Sequence, residues 1–107
     1  MTTFDKREEG FEKKFALDEE QKFKAEARRN RLLGLWAAAK LGISGDAGNA
    51  YAKEVVAAEF SEGGDTAVVR KLMTDFEAKG MAVTETQIRK EMTELMAQAA
   101  EQIKAGT

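Results

Sequence analysis

Apolar residues recur every three or four positions along most of the chain, and small or turn-forming residues cut that pattern into blocks. The first long block runs from about Asp18 to Leu41. Asp18 followed by Glu19 and Glu20 has the character of a helix start, with acids in the first turn, and Gly42 suits its end. The second block runs from about Ala47 to Phe60, with Ser44 and Asp46 as candidate caps and Ala52, Val55, Val56 and Phe60 on one face. Ser61-Glu62-Gly63-Gly64 reads as a turn. A third block opens at Asp65 or Thr66 and ends at Lys79, with Gly80 beyond it and Val69, Leu72, Met73 and Phe76 as its apolar face. The fourth starts at Thr84, with Gln87 three residues on as a capping box. Ile88, Met92, Leu95, Met96, Ala99 and Ile103 then recur at helical spacing. Four amphipathic helices with short connections predict an all-α fold, an antiparallel four-helix bundle over residues 18–107.

The first fifteen residues follow a different pattern. Phe4, Phe11 and Phe15 fall within about 40° of one another on a helical projection. Asp5, Lys6, Arg7, Glu8, Glu9, Glu12, Lys13 and Lys14 lie between them. A short charged helix with one aromatic stripe is marginal alone in water and gains most by laying that stripe into a partner's groove. The competing reading, a stripe folded back onto the bundle, is weakened by its narrowness, its terminal position and its eight charges. Phe15 to Phe23 contains no proline, so this helix is expected to be able to run on into the first block, with Gly10 and Asp18 as weak points. Gly10 costs such a helix up to about 1 kcal/mol.

Composition narrows the function classes. The chain has 107 residues, enough for one core, with 43% apolar and 34% charged residues and no proline. The net charge of −2 gives no bulk field toward nucleic acid or an anionic membrane. No apolar run approaches the roughly 20 residues that span a bilayer, and the N-terminus has no apolar signal core, so a cytoplasmic location is expected. With no His and no Cys there is no Ser-His or Cys-His nucleophile pair, no disulfide and no ordinary zinc site. Carboxylates alone would have to converge in a pocket to bind a hard cation or do acid–base work. The expectation is therefore a protein that is not an enzyme, with no metal and no required cofactor.

Arg28-Arg29-Asn30-Arg31, preceded by Lys22 and Lys24, is the strongest basic run. Such a run either contacts phosphates or forms a solvated helix face, and the second reading is the commoner one. Nearby Asp18, Glu19, Glu20 and Glu26 compensate it, with Glu20 and Lys24 spaced as an i,i+4 pair, which argues against nucleic-acid binding. Leu32 to Ala39 is apolar nearly all round and suits the centre of a bundle. Gly34 costs about 1 kcal/mol in a helix interior and is tolerable where another backbone approaches closely. Trp36 and the five Met read as core and gap-filling residues. Gly63-Gly64 lacks the residues of a phosphate loop.

The stretch Phe23-Lys-Ala-Glu-Ala-Arg-Arg-Asn-Arg-Leu-Leu-Gly-Leu-Trp-Ala-Ala38 resembles the signature of the ζ subunit, an inhibitor of alphaproteobacterial F1Fo-ATP synthase. Met1-Thr-Thr-Phe-Asp5, the segment from Phe11 to Phe15, and Leu95 to Lys104 resemble it as well, so the likeness spans essentially the whole chain. The resemblance implies a four-helix bundle with a mobile N-terminal inhibitory segment, residues 1–17, partly disordered when free. It implies as partners the α, β and γ subunits of F1-ATPase, where the segment would lengthen into a helix and block rotation in the hydrolysis direction. It also implies a cytoplasmic protein, monomeric when free and associated with the membrane-bound synthase only through F1. Phe4, Phe11 and Phe15 would be the anchors, and Lys6, Arg7, Glu12, Lys13 and Lys14 would set orientation and encounter rate. Family members are also reported to bind ADP or ATP, a regulatory ligand here. Its phosphates would want Arg or Lys beside an apolar ledge, which makes Arg28, Arg29 and Arg31 beside Leu32 candidates, as are Arg70, Lys71 and Arg89. The alternative on the same residues is a nucleotide-binding helical adaptor with weak or no inhibitory effect. RNA or DNA binding through Arg28 to Arg31 is a weaker third.

Overall fold

The computed structural model describes residues 17–106. Four helices follow one another: α1 (Glu19–Leu41), α2 (Gly45–Ala58), α3 (Asp65–Ala78) and α4 (Glu85–Lys104). No strand occurs among the described residues. The helix α1 is central and packs most extensively on α2 and α4, while α3 closes the bundle opposite it.

Local chemistry sets the helix ends. At the start of α1, the Asp18 side chain accepts from the Gln21 N–H at 2.7 Å, and Gln21 Oε1 accepts from the Asp18 N–H at 3.1 Å. This capping box satisfies two otherwise orphaned donors. It holds Asp18 extended, at φ −75° and ψ 177°. A helix running unbroken from the N-terminal segment through Asp18 is therefore not formed: α1 begins at Glu19. Thr84 and Gln87 make the same reciprocal pair at the start of α4.

Both α1 and α3 end in the same way. The Ile43 N–H reaches back to the Ala38 carbonyl at 2.8 Å and the Gly42 N–H to Ala39 at 3.3 Å; Met81 and Gly80 repeat this on Phe76 and Glu77, both at 2.9 Å. The reversal needs a left-handed residue, supplied by Gly42 at φ 78° and Gly80 at φ 71°. Ile43 and Met81 then tuck against the core.

The second helix departs from the sequence reading. It starts two residues earlier, at Gly45, and ends at Ala58 rather than Phe60. Ser44 takes the cap position without a side-chain hydrogen bond. At the far end the Phe60 N–H bonds Ala57, the Ser61 N–H bonds Ala58, and Ser61 Oγ donates to the same Ala58 carbonyl at 2.6 Å. These bonds tighten the chain into the turn. Ala52 and Val55 are buried as expected, but Phe60 lies outside the helix and is 67% exposed.

The core draws on every helix: Leu33, Ala37 and Leu41 from α1, Tyr51 and Val55 from α2, Val68, Leu72 and Phe76 from α3, Ile88 and Met92 from α4. Burying side chains of this kind contributes about 1.5–3 kcal/mol each for the larger ones. Val68, absent from the expected face of α3, is fully buried. Trp36 is only partly buried; it meets Phe76 edge-on, with ring centroids 6.0 Å apart, and Lys40 lies over its outer face. Gly34 is buried where α1 crosses α2, facing Ala52 and Val55.

Candidate functional site

The aromatic and charged positions read as partner-binding, Phe4, Lys6, Arg7, Phe11, Glu12, Lys13, Lys14 and Phe15, lie outside the described residues. The six basic candidates for a nucleotide are all described, and the structure scatters them: Arg29 and Arg89 share one place, Arg70 and Lys71 another, and Arg28 and Arg31 lie apart from both.

Arg29 occupies the first. It is not part of a solvated face: Arg29 is 6% exposed and Asn30 fully buried, while Arg31 on the same run is exposed. Arg29 sits one helical repeat from both Ala25 and Leu33, so it shares their inward stripe. Its guanidinium grips Asp65, the first residue of α3, with Nη2 2.7 Å from Oδ1 and Nη1 3.4 Å from Oδ2. The same Nη2 is 3.6 Å from Glu59, just after α2, and Nε donates to Asn30 Oδ1 at 3.1 Å. One side chain thus ties α1 to both ends of the α2–α3 turn.

The three charges do not balance evenly. Burial pushes the Glu59 carboxyl up to about 7, and the neighbouring Asp65 carboxylate adds to the rise; Arg29 and Asn30 only partly oppose it. The hydrogen bonds from Arg29 hold the Asp65 carboxyl below its ordinary value, against the opposing effect of its own burial. Burial therefore favours the protonated form of Glu59, while Asp65 is held ionised beside Arg29.

Beside this cluster runs a groove of about 480 Å³ between α1 and α4. Leu17, Met92, Met96 and Ala97 give it an apolar floor, and Lys22, Arg29 and Arg89 face Glu26 and Asp65 around it. Arg29 and Arg89 are brought together here from distant parts of the chain. Both already hold carboxylates, Arg89 through Nε to Glu85 at 2.9 Å. Lys22, not singled out from the sequence as a ligand residue, is a third cation on the same groove.

Arg28 is on a different face of α1, with Nη1 3.4 Å from Gln102 Oε1 on α4. Arg70 and Lys71 lie on α3, along a shallow depression with Ala58, Ser61 and Asp75. Lys71 there is a structural pin. It bonds Asp75 at 3.1 Å and Glu54 at 3.3 Å and lies 4.9 Å from the centre of the Tyr51 ring. Burial alone would lower its pKa; the two carboxylates more than offset that and raise it. Tyr51 Oη donates to Asp75 Oδ2 at 2.6 Å, and burial followed by that carboxylate pushes the phenol's pKa well up.

Sequence reasoning missed one surface feature. Phe23 on α1 and Phe60 beyond α2 are 57% and 67% exposed, the large hydrophobics left exposed among the described residues. Their rings face each other with centroids 6.0 Å apart at 43°. The available signal was the turn at Ser61, close enough to Phe60 to end the helix before it.

Among the described residues no group of His, Cys, Asp or Glu is arranged to hold a metal ion, and no helix is long and apolar enough to cross a membrane. The sequence profile of the family described as "ATPase inhibitor subunit zeta" matches residues 1–102. A protein solved by solution NMR is 48% identical to this chain, covers 79% of it and 96% of its own length, and superposes with a TM-score of 0.69. No match is found among curated proteins.

Proposed function

The chain belongs to the ATPase inhibitor subunit zeta family, and from that premise we propose that it is a regulatory, non-catalytic inhibitor of F1Fo-ATP synthase that blocks ATP hydrolysis. Its N-terminal segment is the working part: it enters the F1 head at an interface of the α, β and γ subunits, as a helix anchored by Phe4, Phe11 and Phe15. Lys6, Arg7, Glu12, Lys13 and Lys14 fix its orientation. The observation that carries this reading is that the match to the family profile covers residues 1–102, the N-terminal segment included. The segment ahead of the bundle is thus part of what the family shares. The bundle supports it in that its first helix carries its own cap at Asp18. The protein then works in the cytoplasm and meets the membrane-bound synthase only through F1.

The test is ATP hydrolysis by the cognate F1-ATPase with the full chain titrated in, alongside a variant in which Phe4, Phe11 and Phe15 are all Ser. Dose-dependent loss of hydrolysis by the natural chain, abolished in the variant, is the expected result. Equal inhibition by the variant refutes the anchoring role.

A second reading, regulation by ADP or ATP, is favoured by one arrangement, the meeting of Arg29 and Arg89 with Lys22 beside the Met92 and Met96 floor. Phosphates would approach Lys22 and Arg89, since Arg29 is already committed to Asp65 and Glu59. Chemical-shift titration with ADP tests it: movement confined to these groove residues supports the reading, and no movement at millimolar ligand removes it.

A further inference from the structure

We propose that the Phe23–Phe60 ledge is a second contact with the ATPase, seated in an apolar recess rimmed by Lys or Arg on the same head that receives the N-terminal segment. This rests on the inhibitor reading above and adds a site to it.

The two rings come from separate elements yet form one surface, 6.0 Å apart. The Ser61 hydroxyl and the two turn bonds onto Ala57 and Ala58 hold the backbone that presents Phe60. A preformed aromatic pair costs little ordering on binding, which is what contact anchors require.

Charge defines the partner. Glu19 and Glu26 stand four residues before and three after Phe23, on its face of α1, and Glu62 follows Phe60. All three are exposed; of the two lysines beside Phe23, Lys24 is paired with Glu20 at 3.3 Å and Lys22 lines the groove between α1 and α4. An acidic rim around an apolar ledge fits a basic rim around an apolar recess.

Position defines which partner. The chain ahead of Leu17 joins the bundle at the start of α1, and Phe23 is five residues past Asp18, about 7 Å along the helix axis. A body that grips Phe4 to Phe15 therefore ends close to Phe23. A second copy of this chain fits worse. A two-fold contact would set acid rim against acid rim, and two rings fall far short of the roughly 1,200 Å² that a stable interface buries.

Surface plasmon resonance on the cognate F1, using full-length chains, tests the proposal. The first variant is Phe23→Ser with Phe60→Ser; both positions are exposed, so an unchanged melting temperature is expected. The second replaces Phe4, Phe11 and Phe15 by Ser. The ledge variant should bind about ten-fold more weakly than the natural chain. Unchanged affinity overturns the ledge. A triple variant of full affinity overturns the N-terminal reading instead, and the ledge is still judged by its own variant. A natural chain that does not bind F1 overturns both. A natural chain that sediments as a dimer, made monomeric by the ledge substitutions with F1 affinity intact, overturns the ledge in favour of self-association.

Discussion

Gly34 and Ala52 bring two helices into close approach: a Cβ on Gly34 would sit 2.6 Å from the Ala52 Cα, and 3.2 Å from the Val55 Cβ. The nearest obstacle is backbone, which no rotamer change can move. Gly34→Ala gains about 1 kcal/mol of helix propensity. It must also push α1 off α2, and overpacking of this kind costs about 1–3 kcal/mol or more. A net loss of about 1–2 kcal/mol is expected in urea unfolding. A variant as stable as the natural chain would show that the two helices separate freely.

Arg29 and Arg31 belong to one basic run yet should respond in opposite ways. Arg31 is exposed, and Arg31→Ala should change stability by less than about 0.5 kcal/mol. Arg29→Ala removes a buried side chain with three partners and leaves Glu59 and Asp65 facing each other. Losing one partner from a wholly buried pair costs about 3–5 kcal/mol. Asp65 is half exposed and can rehydrate, so about 2 kcal/mol is expected here. Paired chemical denaturation curves decide it.

Glu59 sets the sign of the pH dependence. Its carboxyl titrates at about 7 in the folded chain against an ordinary 4.5, so the folded state holds that proton more tightly. The contribution is complete below pH 4.5 and lost as pH rises through about 7. Asp65 acts oppositely: its pKa is lowered from 3.8, so its contribution is present above that pH and lost on acidification below it. Stability from this junction is therefore greatest in mildly acidic solution and declines toward pH 8. Glu59→Gln keeps the shape and removes the titration. Unfolding free energies at about pH 5.5 and about pH 8.5 should fall less between the two for the variant than for the natural chain. Parallel curves would place the pH response elsewhere.

Tyr51→Phe deletes one hydroxyl that donates to the Asp75 carboxylate at 2.6 Å. Charge-assisted bonds are worth about 1.5–3 kcal/mol, and Asp75 keeps Lys71 as a partner, so a loss near the lower figure is expected. Thermal melts followed by circular dichroism measure it; an unchanged melting temperature would mean that Lys71 alone satisfies Asp75.

What could be read from the sequence was local. Thr84 and Gln87, three residues apart, signal their capping box without knowledge of anything else in the chain. Gly42 and Gly80 announce the ends of α1 and α3 because the left-handed reversal has few other occupants. The requirement for a close backbone at Gly34 followed from its cost, although which backbone did not. Arg29 shows where such reading stops. Its burial depends on Glu59 and Asp65, at least thirty positions away, and no local pattern pairs them. The spacing Ala25-Arg29-Leu33 was the one available hint, since it places a charge in an inward stripe. Phe60 was misplaced for a related reason: apolar periodicity continued past the point where hydrogen bonds onto Ala57 and Ala58 had already ended the helix.

The capping box at Asp18 has a bearing on where the bundle's first helix can begin. Helical order arriving from upstream would have to break two hydrogen bonds and swing an extended residue before it could merge with α1. The boundary therefore behaves as a stop at the head of α1. Asp18→Ala removes that stop, at a cost of about 1 kcal/mol to the start of α1.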